Sequence, residues 1–227
     1  INKRNKNKLI IMIVALMIGR AGSRGFPGKN TMKILGKSLC EYPLIACQKS
    51  KYVKKIYVST DCKIIKKISK KYNAKLIERP KRLATNSALG DHVFEHGYFY
   101  IKKDVEKTKK EIEFIVLLMA NAATINPKII DKGIQILRKN KKFDSAVSTS
   151  IYNMWSPLRA RRLQKDGTLK PFVPFKVFGN PKNLNCDRDS QGDVYFADMS
   201  VSVVRPKCLE NLKNGLLPQK WMGNKIA

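Results

Sequence analysis

At 227 residues and 43% hydrophobic composition, the chain can bury one sizeable core and carry a small appendage. Its formal charge of +29, from 46 Lys and Arg against 17 Asp and Glu, is of the kind that binds polyanions, but the lysines are spread along the chain. Clusters such as Lys63, Lys66, Lys67, Lys70 and Lys71 have the spacing of solvated helix faces, which argues against a dedicated nucleic-acid surface; five cysteines, odd in number and without a C-x-x-C pair, point to reduced thiols and a cytoplasmic setting.

Lys3, Arg4, Lys6 and Lys8 precede ten apolar residues, Leu9 to Ile18, and imitate a secretory leader. The run is too short to span a bilayer and reads instead as a buried strand over about Ile10 to Ile18, so no membrane insertion is expected. Further along, a helix is expected near Leu39 to Lys49, a strand over Ile56 to Ser59, a helix near Ile64 to Tyr72 and a short strand from Lys75 to Ile77. Ser87 is placed to cap a helix through His92 and Phe99, and the charged stretch Lys102 to Glu113 returns to a strand, Phe114 to Met119. Asn126-Pro127 forms a cap and first-turn pair for a helix over Lys128 to Asn140, followed by a strand from Ser145 to Ser150. Aromatics, prolines and basic residues without helical period then fill Tyr152 to Asn185, with a hairpin turn at Lys165-Asp166-Gly167. Tyr195 to Val204 reads as a strand and Pro206 to Lys213 as a helix. Strands alternating with helices predict an α/β fold with parallel strands and crossover helices, a single domain over 1–227 with an arm at about 152–190.

The segment after the first strand, Arg20-Ala21-Gly22-Ser23-Arg24-Gly25-Phe26-Pro27-Gly28-Lys29-Asn30, carries the chemistry. Three glycines and a serine leave backbone N–H groups able to point at phosphate oxygens, and Arg20, Arg24 and Lys29 bring positive charge to the same bend. A P-loop would continue from lysine to Ser or Thr, whereas Lys29 is followed by Asn30; the dinucleotide spacing G-x-G-x-x-G is also absent. His92-Val93-Phe94-Glu95-His96 matches the inverted zinc-protease pattern H-x-x-E-H, but a zinc site of that kind needs a further carboxylate ligand and another fold, so the match reads as accidental; the segment could instead line a sugar pocket.

The loop's pattern, R-x-G-S-x-G-x-P-x-K-N, resembles the signature of the cytidylyltransferases that activate sialic acids and related acidic sugars. Val58-Ser59-Thr60-Asp61 resembles that family's V-S-T-D, and Arg79-Pro80 with Leu83-Ala84 its R-P-x-x-L-A. Ser145-Ala146-Val147-Ser148 resembles the strand before its dimerisation arm, and Asp187-Arg188-Asp189 stands where it has Asn-Arg-Gln. The resemblance implies a Rossmann-like nucleotide-diphospho-sugar transferase sheet with a hairpin or dimerisation arm. It also implies a homodimer that joins CTP to an acidic sugar with release of pyrophosphate, for cell-surface glycans such as lipopolysaccharide or capsule. On that reading Arg20 and Lys29 stabilise charge moving to the leaving pyrophosphate, Gly22 and Ser23 give backbone contacts, Asn30 orients the nucleotide and Arg79 meets the base or ribose. Arg188 would grip the sugar carboxylate in a bidentate pair, a surface ion-pair cluster with Asp187 and Asp189 being its bland alternative.

Several positions depart from the family's pattern. Leu117 to Thr124 replaces L-L-Q-P-T-S-P, Ala197-Asp198 stands for Asn-Gly, and Asp189 for glutamine, which leaves the sugar open. The family implies Mg²⁺ held by a D-x-D pair near its C-terminus, and the sequence stops at Ala227 before a pair in that place; with Ile1 at the other end, the chain is expected to be a fragment. The rival functions are a nucleotidyltransferase for another sugar or polyol, which shares the loop, and a non-catalytic RNA-binding protein using the lysine-rich surface.

Overall fold

The apolar run after the basic start is continuous because both of its faces are covered. In the computed structural model, which describes residues 10–22, 25–187, 190 and 192–227, it forms β1 (Ile10–Ile18). Ile13, Ala15 and Met17 point into one layer, with Leu44, Ile65, Ile130 and Ile134 from helices, while Val14, Leu16 and Ile18 point into the other, with Val93, Phe94, Tyr98 and Leu209. A strand sandwiched in this way has no polar face to alternate with.

The remaining elements follow in chain order: the hairpin β2 (Lys33–Ile34) and β3 (Lys37–Ser38), α1 (Glu41–Lys49), β4 (Val53–Thr60), α2 (Lys63–Lys71), β5 (Lys75–Glu78) and α3 (Gly90–Glu106). Next come β6 (Lys110–Met119), α4 (Pro127–Lys139), β7 (Ser145–Ile151), the hairpin strands β8 (Arg161–Leu163) and β9 (Leu169–Pro171), β10 (Tyr195–Val204) and α5 (Pro206–Glu210). Six strands make one sheet in the order β5-β4-β1-β6-β10-β7. β5, β4, β1 and β6 are mutually parallel, so Ile18, Thr60, Glu78 and Met119 end on the same edge. β10 runs antiparallel to β6, making the sheet mixed where an all-parallel one was expected. Lys225 to Ala227 lie along β7, with the Ala227 N–H donating to the Ser145 carbonyl at 2.9 Å and Val147 N–H to the Ala227 carbonyl at 2.9 Å.

Two sequence expectations are corrected locally. Ser87 does not cap α3, which starts at Gly90 after Leu89; its hydroxyl meets Thr85 Oγ1 at 3.2 Å instead. The helix from Pro206 stops at Glu210, and a 3₁₀ turn over Leu212–Asn214 follows, with Asn211 accepting from the Lys213 N–H. The Asn126-Pro127 start of α4 is as expected, the Asn126 side chain accepting the Ile129 N–H at 3.1 Å.

Residues Thr149–Asp198 form a compact unit of their own, apart from the unit made of Ile1–Ser148 and Met199–Ala227. Inside the smaller unit the β8/β9 hairpin turns through Gly167 at φ +80°. Guanidinium groups cover two of its rings, Arg161 over Phe175 and Arg162 over Phe172 at 5.4 and 4.8 Å.

Candidate active site

The chain leaves the sheet after Ile18 through a position that only glycine fits: a Cβ on Gly19 would lie 2.6 Å from that of Ala120 and 3.1 Å from Ile65 Cδ1. This close approach sets the loop against the end of β6, where the Ala120 N–H donates to the Ile18 carbonyl at 3.0 Å. The loop closes at Gly28, whose φ of +73° is left-handed and whose carbonyl accepts from both Thr31 N–H and Thr31 Oγ1. A short 3₁₀ turn, Lys29–Thr31, follows.

Four of the residues expected at the site gather around this bend. The Asn30 side chain donates Nδ2 to the Arg20 carbonyl at 3.2 Å and thereby ties the two ends of the loop together. Arg20 donates to the Asn86 side chain, which reaches in from the segment before α3. The Gly22 N–H has no partner among the described residues, and a Cβ there would meet nothing within 4 Å, so the backbone is open on that side. Lys29 is half-buried beside Asn30, its ammonium without a carboxylate among the described residues. Ser23 and Arg188 lie outside the described residues.

Arg79 enters from the end of β5 and is buried, 9% exposed. Its Nη2 donates to the Ser59 carbonyl at 2.5 Å and its Nε to Ser59 Oγ at 3.3 Å, which leaves Nη1 without a partner among the described residues. Burial brings the guanidinium down to about 10, Asp61 opposing the drop and Arg20 adding to it. Asp61 is the carboxylate that sequence reasoning quoted within V-S-T-D but gave no role. It accepts the Ala21 N–H at 3.0 Å, fixing the loop, and lies within electrostatic reach of Arg79. Asn86 was also missed; nothing in a stretch of polar residues marks one amide as the partner of an arginine 66 positions away.

The ends of β1, β4 and β5 thus present three cations and a free N–H, with one carboxylate, Asp61, engaged in holding the loop. Such an arrangement suits a polyanion at the strand ends of an open α/β sheet. Among the described residues no group of three or more His, Cys, Asp or Glu could hold a metal ion. They therefore do not supply the oxygen array that Mg²⁺ requires, and what this edge offers a ligand is cationic side chains and N–H donors.

Sheet order and loop together define an α/β protein with a mixed central sheet and a cationic, glycine-rich loop at its strand ends. The solved structure of CMP:2-keto-3-deoxy-manno-octonic acid synthetase complexed with CTP shares this fold, with a TM-score of 0.61 at 15% identity over 92% of this chain and 80% of that one. The cytidylyltransferase family model matches residues 14–201. The chain belongs to the cytidylyltransferase family. CMP-N,N'-diacetyllegionaminic acid synthase of Legionella pneumophila is 30% identical over 190 residues, 82% of this chain and 77% of that protein. N-acylneuraminate cytidylyltransferase of Escherichia coli is 26% identical over 160 residues, which span 70% of this chain but 36% of that protein's length.

Proposed function

We propose that the protein transfers a cytidylyl group from CTP to an acidic, sialic acid-like sugar and releases pyrophosphate. The observation that carries this reading is that the segment after β1, with Arg20, the open Gly22 N–H and Lys29, leaves the same sheet edge at which Arg79 is anchored on Ser59 within electrostatic reach of Arg20. The sugar's anomeric hydroxyl oxygen attacks the α-phosphorus of CTP; the new O–P bond forms as the bond to the bridging oxygen breaks, the electron pair leaves with pyrophosphate, and the hydroxyl proton is released. Arg20 and Lys29 stabilise the charge that moves onto the leaving group, and the backbone at Gly22 and Ser23 donates to phosphate oxygens. Asn30 acts through the loop, since its Nδ2 is engaged by the Arg20 carbonyl. Arg79, anchored on Ser59, turns Nη1 toward the base or ribose. Arg188 receives the sugar carboxylate.

Mg²⁺ belongs to this proposal through the family alone and would supply charge neutralisation at the phosphates. Among the described residues no helix is long and apolar enough to cross a membrane, and the five cysteines are free thiols, which supports a cytoplasmic enzyme. The Thr149–Asp198 unit exposes Trp155 (70%), Leu163 (68%) and Phe172 (54%), an apolar surface that supports a homodimer built on this arm.

Pyrophosphate release by the full-length protein, assayed with each nucleoside triphosphate, Mg²⁺ and a panel of 2-keto sugar acids, tests the reaction. Release is expected from CTP and only with an acidic sugar. Equal turnover of all four triphosphates, or no response to any sugar acid, would sink the assignment.

A further inference from the structure

Both histidines of the sequence line one cavity, beside Arg82 and within electrostatic reach of Arg79. It has a volume of roughly 400 Å³ and shares no residue with the 19–30 segment. His92, His96, Phe99 and Lys103 follow one another at i, i+4, i+7 and i+11 along one face of α3, Tyr100 adds a second ring, and Arg82 closes the opposite wall from the 3₁₀ turn Lys81–Leu83.

The charges of this cavity are unbalanced. Neither Arg82 nor Lys103 pairs with a carboxylate among the described residues, and the one acid in the lining, Glu95, stands 3.5 Å from His92 Nδ1. His96 Nδ1 is buried without a hydrogen-bond partner, so a neutral ring carries its proton on Nε2. Burial, and then the charges of Arg82 and Arg79, hold that imidazole below the ordinary histidine range. The walls are also apolar, with Phe99 41% and Tyr100 38% exposed, surface that a purely ionic occupant would leave wet. A metal does not suit these groups, because no three His, Cys, Asp or Glu side chains converge among the described residues. The volume is that of a small-molecule cleft.

We propose that this cavity is a second anion site, one that takes a small phosphate ester carrying a flat ring, an aryl or nucleoside phosphate, with Arg82 and Lys103 on the phosphate and Phe99 and Tyr100 against the ring. Rings stacked beside a bound anion and cations donating to its oxygens are complementary demands that this lining meets together.

Imidazole NMR of the full-length protein, with the His92 and His96 signals assigned from the H92Q and H96Q variants, reads the site. Phenyl phosphate is titrated into the full-length protein, with inorganic phosphate as a second arm. Saturable shifts of both imidazoles are expected, with binding at least tenfold weaker for inorganic phosphate. The R82A/K103A double variant alters two exposed side chains and is expected to weaken phenyl phosphate at least tenfold while keeping the dispersed imidazole signals of a folded chain. K29A should leave this titration unchanged. Absence of saturable shifts, or unaltered binding in R82A/K103A, would overturn the proposal. Loss of binding in K29A would return the anion to the phosphate loop, and equal affinity for inorganic phosphate would remove the ring from the ligand's description.

Discussion

Asp61 holds the mouth of the loop in two ways, by accepting the Ala21 N–H and by offsetting part of the electrostatic cost of burying Arg79. The two contributions separate on substitution. Asp61→Asn keeps an acceptor of the same shape and removes the charge, whereas Asp61→Ala removes both and leaves the loop N–H to solvent. We expect Asp61→Ala to weaken CTP binding by about 1–2 kcal/mol, roughly tenfold, because a loop that must be ordered on binding spends affinity on that ordering. Asp61→Asn should recover most of the loss, as isothermal titration would show; equal loss in both would assign the effect to charge. Lys29 behaves differently, since its ammonium holds nothing else in the described chain. Lys29→Ala should cost about 1.5–3 kcal/mol of CTP affinity, the worth of a hydrogen bond to a charged group, with no change in melting temperature. Unchanged CTP affinity in that variant would remove the loop from the site.

At the scale of elements, what could be read from the sequence was whatever a local pattern determines. β1 was expected over about Ile10 to Ile18 and is found there, because a run buried on both faces leaves few ways to misplace its ends, and Tyr195 to Val204 was expected as a strand and is found as β10, although only its second half is buried. The hairpin β2/β3 escaped notice: two residues per strand carry no alternation, and the tight turn rests on Leu35 and Gly36 at φ +49° and +78°. The antiparallel direction of β10 was also hidden, since the composition of a strand does not encode which way it runs. Within the site, the loop residues were legible because phosphate chemistry concentrates glycine and cations in one segment. Asn86 was not, because its contact with Arg20 is made by folding. The same distinction governs Gly97 in α3, where helix propensity alone would favour alanine by about 1 kcal/mol. A Cβ there would stand 2.6 Å from Leu16 Cδ2 in the core beneath. Gly97→Ala is therefore expected to destabilise by about 1–3 kcal/mol, read as a lower urea midpoint; a gain in stability would mean that Leu16 can move aside.

Across the whole molecule, charges are treated differently at the two edges of the sheet. At the edge carrying the site, Asp61 stands with Arg20 and Arg79, while Lys29 has no carboxylate among the described residues; toward the opposite edge several cations are paired. Asp104 of α3 meets Lys55 Nζ at 2.8 Å and Tyr57 Oη at 2.7 Å and also accepts from Lys75, binding α3 to the beginnings of β4 and β5; Arg138 pairs with Glu113 near the start of β6. Burial alone would raise the Asp104 pKa, but the hydrogen bonds from Lys55, Lys75 and Tyr57 outweigh it and hold the carboxyl well below the ordinary range. Asp144, bonded to Lys207 and to the N–H groups of Asn224 and Lys225, is likewise brought down to about 2 against the opposing effect of burial. A folded pKa below the unfolded one means that the unfolded chain takes up protons first, so this stabilisation is complete above about pH 4 and is lost as pH falls through the folded values. Protonating the remaining acids also raises a net charge that is already +29, adding self-repulsion in the same direction. Asp104→Asn should lower stability by about 2 kcal/mol at pH 7, since Lys55, Lys75 and Tyr57 lose a charged acceptor. The difference from the parent chain should shrink as pH is taken from 5 toward 2, because the unfolded parent then takes up a proton at this carboxylate while the folded one does not. Urea midpoints measured across that range decide the matter: a difference that stays constant down to pH 2 would mean that Asp104 stabilises the fold by its shape rather than by its charge.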